Sequence, residues 1–488
     1  MKKILSAMVA ASALLSLAAC KTAGPDYRAP PVLTGEAPAP ELSDNGPAFT
    51  QQPLPDHWWQ LYRDPALDAL VEKALVHNTD LRSAAANLAR ALALLGAADA
   101  RRLPETSLSV NPTYGQQSAD AVGAPQALDP GPVYKAGEMI SYDFDLFGRL
   151  KRGVEAQDAN AGAALAALDL ARVNVAAQTT LAYVDSCSAN LRIAVQQEAI
   201  GRAQQNLDVT QRRFAAGITG RNDVVRARTL LRQTEASLPP LLTDRRSALL
   251  RLATLTGDLP ENEPSAAAAC TEPPILADPI PTGDGRALLR RRPDVREAER
   301  RLAQSIAQIG VQAADLYPSI SLGASIGTTA TKIEDIVRDR GFRWSIGPLL
   351  TWTFPNRSVA RAQLAAANSQ AEARLADFDG TVLTALRETE TSMARLAQDL
   401  DRAEDLRLAE EDAALAARNV RRLYKGGVAG FLDVLDAERT LIQSKTELAG
   451  ARAQVATDQV RVFEALGGGW RDAPAIIRKP LTPVIQQP

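Results

Sequence analysis

The sequence predicts a mainly α-helical chain that carries two short β-hairpins and is built twice over. Three observations predict it: long alanine-dense stretches without proline, two places where a helical apolar spacing gives way to strict alternation, and an internal repeat of half the chain.

The repeat fixes the order of elements. "TDLRSAAANLARALALLGAADARRLPETSLSV", from Thr79, aligns with "PDVREAERRLAQSIAQIGVQAADLYPSISLGA", from Pro293, so that Gly96 pairs with Gly310 and Pro104 with Pro318. Ahead of Pro318, Leu302, Ile306, Ile309 and Ala313 share one face of a helix. Beyond it, Ile320, Leu322, Ala324 and Ile326 alternate with Ser321, Gly323, Ser325 and Gly327. Proline cannot continue a helix, so Pro104 and Pro318 mark helix-to-strand junctions. After Pro104, Leu108, Val110 and Tyr114 alternate with polar residues, and Ile140, Tyr142, Phe144 and Leu146 do so again after a loop. These runs predict hairpins over about 104–147 and 318–354, with Leu349 breaking the second alternation.

Between Gly148 and Phe214 there is no proline, and eleven alanines fall between Ala156 and Ala182. One helix of roughly 65 residues, about 100 Å long, is the economical reading. Its counterpart runs from Arg357 to Tyr424. "RFAAGITGRNDVVRA" from Arg213 then aligns with "LYKGGVAGFLDVLDA" from Leu423, pairing Gly217 with Gly427, Gly220 with Gly430 and Asp223 with Asp433. Each long helix therefore ends in a glycine-bearing tip, about 214–223 and 424–433, and a return helix leads toward Gly257 or Gly467. The two copies span 57–270 and 271–470, with a tail over 471–488.

The start, "MKKILSAMVAASALLSLAAC", has the outline of a bacterial export signal over 1–19, too short to span a membrane comfortably. Leu17-Ala18-Ala19-Cys20 resembles a lipobox, which implies cleavage before Cys20 and its acylation, and Lys21 after it points to the outer membrane. Residues 20–56, rich in Pro, Gly and Ala, read as an extended tether without a core of its own.

Composition excludes several classes. The formal net charge of -2 comes from interspersed acids and bases, so no basic field attracts nucleic acid. Cys187 and Cys270 are single and far apart, and His57 and His77 are the only histidines, so no metal-ligand cluster and no catalytic Cys/His spacing occurs. Each cysteine reads as a small packing residue, and a disulfide between them stays open in an oxidising compartment. No phosphate-cradling glycine loop or nucleophile elbow nominates a reaction, and Trp58 and Trp59 read as packing residues.

A strand apolar on one side and polar on the other suits a wall between lipid and water. Four strands do not close a barrel, and open sheet edges are not tolerated in lipid, so the chain must borrow edges from copies of itself. Two copies give eight strands and three give twelve, and periodicity alone does not choose.

A resemblance does choose. "GPDYRAPP", "DHWWQLYRDPALDALVEKALVHNTDLRSA" from Asp56, "DFDLFGRLKRGVEA" from Asp143 and above all "LLRRRPDVREAERRLAQSIAQIGVQAADLYPSISLG" from Leu288 resemble the TolC-like outer-membrane factors, specifically the lipoproteins of RND-type efflux systems. The resemblance implies a homotrimer whose twelve-stranded barrel in outer-membrane lipid continues as a twelve-helix tube. It also implies two partners, a periplasmic adaptor protein and an inner-membrane RND-type pump. The chain would be a passive exit duct, with no catalysis, cofactor or metal. A duct for a type I protein or peptide secretion system and a non-conducting scaffold lipoprotein are the rival readings.

By motif match, Asp433 and Asp436 occupy positions at which this family places an acidic constriction, and Tyr424 one that ties closed tips together. Gly217, Gly220, Gly427 and Gly430 would shape the turns that the adaptor touches. Three apart on a helix, Asp433 and Asp436 share a face. Helix capping is the competing explanation for Asp223 and Asp433. Ala429 stands where some family members carry an arginine, which puts any inherited scheme of tip salt bridges in doubt.

Overall fold

Pro104 and Pro318 stand immediately before a strand each, four positions past the last residue of a 22-residue helix in both cases. The computed structural model describes residues 22–477 apart from 37, 39, 41, 44, 45, 117, 124 and 128. Cys20 and the export signal lie outside the described residues. The main elements are α1 (Pro65–His77), α2 (Thr79–Ala100), β1 (Glu105–Gly115), β2 (Gly131–Phe144), α3 (Arg149–Ala215), α4 (Arg221–Ala236), α5 (Leu238–Leu255), α6 (Pro293–Ala314), β3 (Ser319–Ala330), β4 (Phe342–Thr351), α7 (Ser358–Lys425) and α8 (Phe431–Leu466). The first return arm is two helices, because Pro239 and Pro240 lack the amide hydrogens that would carry a helix through Ser237. The second, without proline, runs unbroken.

The chain forms two compact units, and each draws on both halves of the sequence. The first comprises described residues 22–29, Leu88–Ala164 and Ala298–Phe378. Its centre is a four-stranded antiparallel sheet in the order β1-β2-β3-β4. β2 pairs with β3, Ile140 opposite Ala324, so the two hairpins are joined edge to edge.

Residues 22–29 are docked in this unit, in contrast to the free tether that their composition suggests. Ala23 N donates to Phe147 O at 2.9 Å. The buried Arg152 side chain donates to Ala23 O at 3.3 Å and Asp26 Oδ1 at 2.6 Å. Burial alone would lower the Arg152 pKa, but its bonds to Glu155 and Asp26 outweigh that and raise it. Gly24, at φ +81°, lies so close to Gly310 that a Cβ would sit 2.5 Å from Gly310 Cα. These partners are more than a hundred residues away in sequence, which is why composition missed them.

The second unit comprises described residues 30–87, Leu165–Glu297 and 379–477. Trp58 and Trp59 are buried here, with Trp58 stacked on Phe463 at 4.6 Å. Asp64 caps α1, accepting from Ala66 N at 2.9 Å, and takes the Tyr183 hydroxyl at 2.7 Å. Phe49–Thr50 pairs in parallel with Ile280–Pro281, so ordered structure begins before Trp58. Cys187 and Cys270 are bonded to each other rather than packed singly, with Cα atoms 5.1 Å apart. Ser186 and Asn190 hold the same segment by donating to Ala267 O at 3.0 Å and Cys270 O at 2.7 Å. Buried Arg291 donates to Leu466 O at 2.8 Å, and burial, aided by Arg471, lowers its pKa to about 10.

Candidate functional site

The strand register sorts the sheet into two faces. One carries Leu108, Val110 and Tyr114 of β1, Tyr134, Ile140, Tyr142 and Phe144 of β2, Ile320, Leu322 and Ile326 of β3, and Phe342, Trp344, Ile346 and Leu350 of β4. The other carries Ser107, Ser109, Asn111, Ser141, Asp143, Ser321, Ser325 and Ser345, with Ser325 and Ser345 hydroxyls 2.8 Å apart. Leu349 and Met139 fall on the polar face. Glu138 falls on the apolar one between Leu108 and Ile326, and nothing in the structure explains it.

The apolar face is bare. Leu108 of β1 is 78% exposed and Trp344 of β4 69%, and no described element covers them. Its aromatics gather at two levels: Tyr142 and Phe144 near the helices, then Tyr134, Phe342 and Trp344 toward the far end. Ten residues separate Phe144 from Tyr134, a rise of about 25 Å for a strand tilted as in a membrane barrel. β1 and β4 each have one edge without a partner in the described sheet.

The two tips, both in the second unit, share a backbone. Each long helix ends with a bond from the second residue of the turn back five positions: Ile218 N to Arg213 O at 2.8 Å, and Val428 N to Leu423 O at 2.9 Å. Gly217 and Gly427 sit at φ +70° and +77°, where a side chain is strained. Gly220 and Gly430 are ordinary extended N-caps, at φ -85° and -81°, so left-handed backbone accounts for only two of the four glycines.

Asp433 Oδ2 accepts from Gly430 N at 2.8 Å, which makes it a capping residue of α8. Asp223 instead accepts from the Thr219 hydroxyl at 2.5 Å. Asp436 is exposed on the next part of the same face. Tyr424 carries the Arg213 guanidinium over its ring at 4.3 Å and leans on Phe431 at 6.3 Å, so it ties the second tip to the end of the first long helix. Phe214, its repeat partner, is exposed. Beneath the tips, Ala203, Leu207, Leu230, Leu231 and Leu435 form a shared core.

Sequence reading missed one tip residue. Glu438 is buried in α8 and paired with Arg421 of α7. The signal was available: Val434 and Leu441 lie one turn to either side, so an acid between them needed a partner.

The model of the family described as "outer membrane efflux protein" matches residues 70–258 and 285–468, three quarters of the chain. The chain belongs to the outer membrane efflux protein family. Nodulation protein T of Rhizobium leguminosarum bv. trifolii is 31% identical over 458 residues, covering 93% of this chain and 96% of its own. The toluene efflux pump outer membrane protein TtgI of Pseudomonas putida is 29% identical over 434 residues, covering 84% and 87%. Among solved structures, the outer-membrane channel OprN matches with a TM-score of 0.86 at 32% identity, over 92% of this chain and all of that one. As an outer membrane efflux protein, the chain belongs to a family of channels rather than enzymes, and its fold is that of the TolC-like outer-membrane channels.

Proposed function

We propose that three copies of this chain close a twelve-stranded barrel in the outer membrane, continued by a twelve-helix tube, and that the assembly is the passive exit duct of a tripartite efflux pump for small toxic compounds. The observation that carries the reading is the four-stranded sheet. One face is apolar with aromatics at two levels, the other is polar, and both edges are open. In lipid each unpaired backbone group costs several kcal/mol, and pairing β4 of one copy with β1 of the next removes every edge. The chain is then an internal duplication with halves at 57–270 and 271–470, and Pro104 and Pro318 mark where tube meets barrel.

Cys20 is acylated after removal of residues 1–19 and anchors the chain to outer-membrane lipid. The tips at Gly217, Gly220, Gly427 and Gly430 meet a periplasmic adaptor, which connects the duct to an inner-membrane RND-type pump. At the mouth, Asp436 supplies three carboxylates to a constriction, Asp433 adds charge while capping α8, and Tyr424 fastens the tip. Support for the Asp436 role is its exposure one turn beyond Asp433, whose own carboxylate is turned back to Gly430 N.

Single-channel recording in a planar bilayer tests this. Cation-selective steps are expected from the wild type, with selectivity reduced more by Asp436→Asn than by Asp433→Asn. Intact trimers that give no steps, with or without adaptor, would overturn the duct. Steps indifferent to both substitutions would remove the aspartates from its throat.

A further inference from the structure

Where the strands meet the helices in the first unit, a cavity of about 430 Å³ opens, lined by Phe144, Phe147, Tyr317 and Trp352 together with Arg149 and Arg357. Phe147 and Tyr317 stack at 4.5 Å, and the Trp352 indole N–H donates to Leu316 O at 3.4 Å, so the aromatic wall is fixed. The two arginines come from matching places, one opening α3 and the other just ahead of α7.

The two differ in how their charges are answered. Arg149 is more than half exposed and pairs with Asp315 at 3.6 Å. Arg357 Nε is buried without a hydrogen-bond partner among the described residues. The other acid in the lining, Asp145, turns both oxygens to the start of α3, accepting from Leu150 N at 2.9 Å and Lys151 N at 2.7 Å, and Arg357 Nε has no bond to it. A buried guanidinium N–H without an acceptor is costly, and a phosphate oxygen is an acceptor that its planar geometry fits.

We propose that this cavity holds the phosphate headgroup of an anionic phospholipid. Arg357 and Arg149 engage the phosphate, and the aromatic wall takes the glycerol and the first methylenes. The proposal rests on the reading that the strands span the membrane, since this end of the sheet then lies at the lipid–water boundary, where amphipathic aromatics and snorkelling cations collect. It adds a lipid site to the barrel base, distinct from the acyl anchor on Cys20.

The test is native mass spectrometry of the full-length protein released from detergent. It is titrated with phosphatidylglycerol, with a diacylglycerol of the same chains, and with inorganic phosphate. Wild type is expected to retain phosphatidylglycerol about ten-fold more tightly than Arg357→Gln, with Arg357→Lys between them. Arg343→Gln, on the polar face of β4, should match wild type. Diacylglycerol should bind weakly, and millimolar phosphate should not displace the lipid. Equal retention by wild type and Arg357→Gln overturns the site, and displacement by phosphate alone assigns it to the free ion and overturns the lipid. Insertion into phosphatidylglycerol vesicles is scored in parallel. A protein that fails to insert overturns the membrane reading and the lipid site together, whereas one that inserts without discriminating the variants overturns only the site.

Discussion

The two tips of this chain trace the same turn, but their return arms begin with different charges and are held in place by different means. Where the second arm carries the exposed Asp436 and the buried Glu438, the first carries the exposed Arg226 and Arg228. Where the second arm is one helix seated by the Arg421–Glu438 pair, the first is broken at Ser237, and the segment beyond it is tied back by a disulfide. The shared backbone follows the aligned glycines, Gly217 with Gly427 and Gly220 with Gly430.

The largest effect should come from cutting the covalent tie. The bond between Cys187 and Cys270 closes a loop of 83 residues, for which chain entropy alone gives about 4.5 kcal/mol. Replacing both cysteines with serine should lower the thermal midpoint by about 5 °C, and no substitution in the second arm should match it. A scan with and without reductant checks this. A midpoint unmoved by either treatment would mean that the hydrogen bonds of Ser186 and Asn190 suffice.

Next in size is Arg421→Ala, which leaves Glu438 buried and unpaired at a cost of about 3 kcal/mol. The corresponding change in the first long helix, Gln211→Ala, removes no such pair among the described residues and should shift stability by under about 0.5 kcal/mol. Restoring neutrality with Glu438→Gln in the Arg421→Ala background should recover most of the loss. Parallel melting curves decide it, and equal losses from Arg421→Ala and Gln211→Ala would erase the asymmetry.

These two ties mark where the sequence stopped being legible. The helix-to-strand junctions could be read because proline and alternation act locally, and the register places Ile140, Ala324 and Ile346 together on one face as their spacing implies. Asp433 could be read only halfway: a first-turn acid serves a cap or a charge ring equally well until the Gly430 N–H is seen on its carboxylate. The Cys187 bond, the Arg152 dock for residues 22–29 and the Arg421–Glu438 pair all join positions whose proximity depends on how helices pack. Gly310 teaches the same lesson. Its repeat partner Gly96 has open space where Gly310 meets Gly24 and Arg152, so identical motif positions acquired different reasons for glycine.

A smaller contrast lies within the first tip. Gly217→Ala forces a side chain into left-handed backbone and should cost about 1–2 kcal/mol. Gly220→Ser, at an extended N-cap with open space around its Cα, should be neutral or gain a few tenths of a kcal/mol. If adaptor affinity also falls for Gly220→Ser while stability holds, the tip is read by the adaptor as a surface and not merely as a turn. Pull-down with the cognate adaptor separates the two.

The smallest effect concerns the second arm alone. Asp458 is buried in α8, whereas the residue 210 positions earlier, on the first arm, is the buried Ala248. Burial raises the Asp458 pKa, and neighbouring Asp399 pushes the same way against Gln454 and Arg461. The native state therefore holds this proton at pH values where the unfolded chain has released it. Stability is greatest below the ordinary carboxyl value of 3.8, falls as pH rises toward the raised native value, and stays lowered above it. Asp458→Asn keeps an acceptor for the Gln454 amide, at 2.9 Å in the wild type, and removes the charge. It should raise the midpoint at neutral pH by about 2 °C and flatten its decline between pH 4 and neutrality. Asp169 and Glu464, also raised by burial, keep part of that slope. Ala248→Asp on the first arm should introduce the same decline with pH, and a midpoint that instead fell equally at every pH would mean that shape, not charge, sets what this position tolerates.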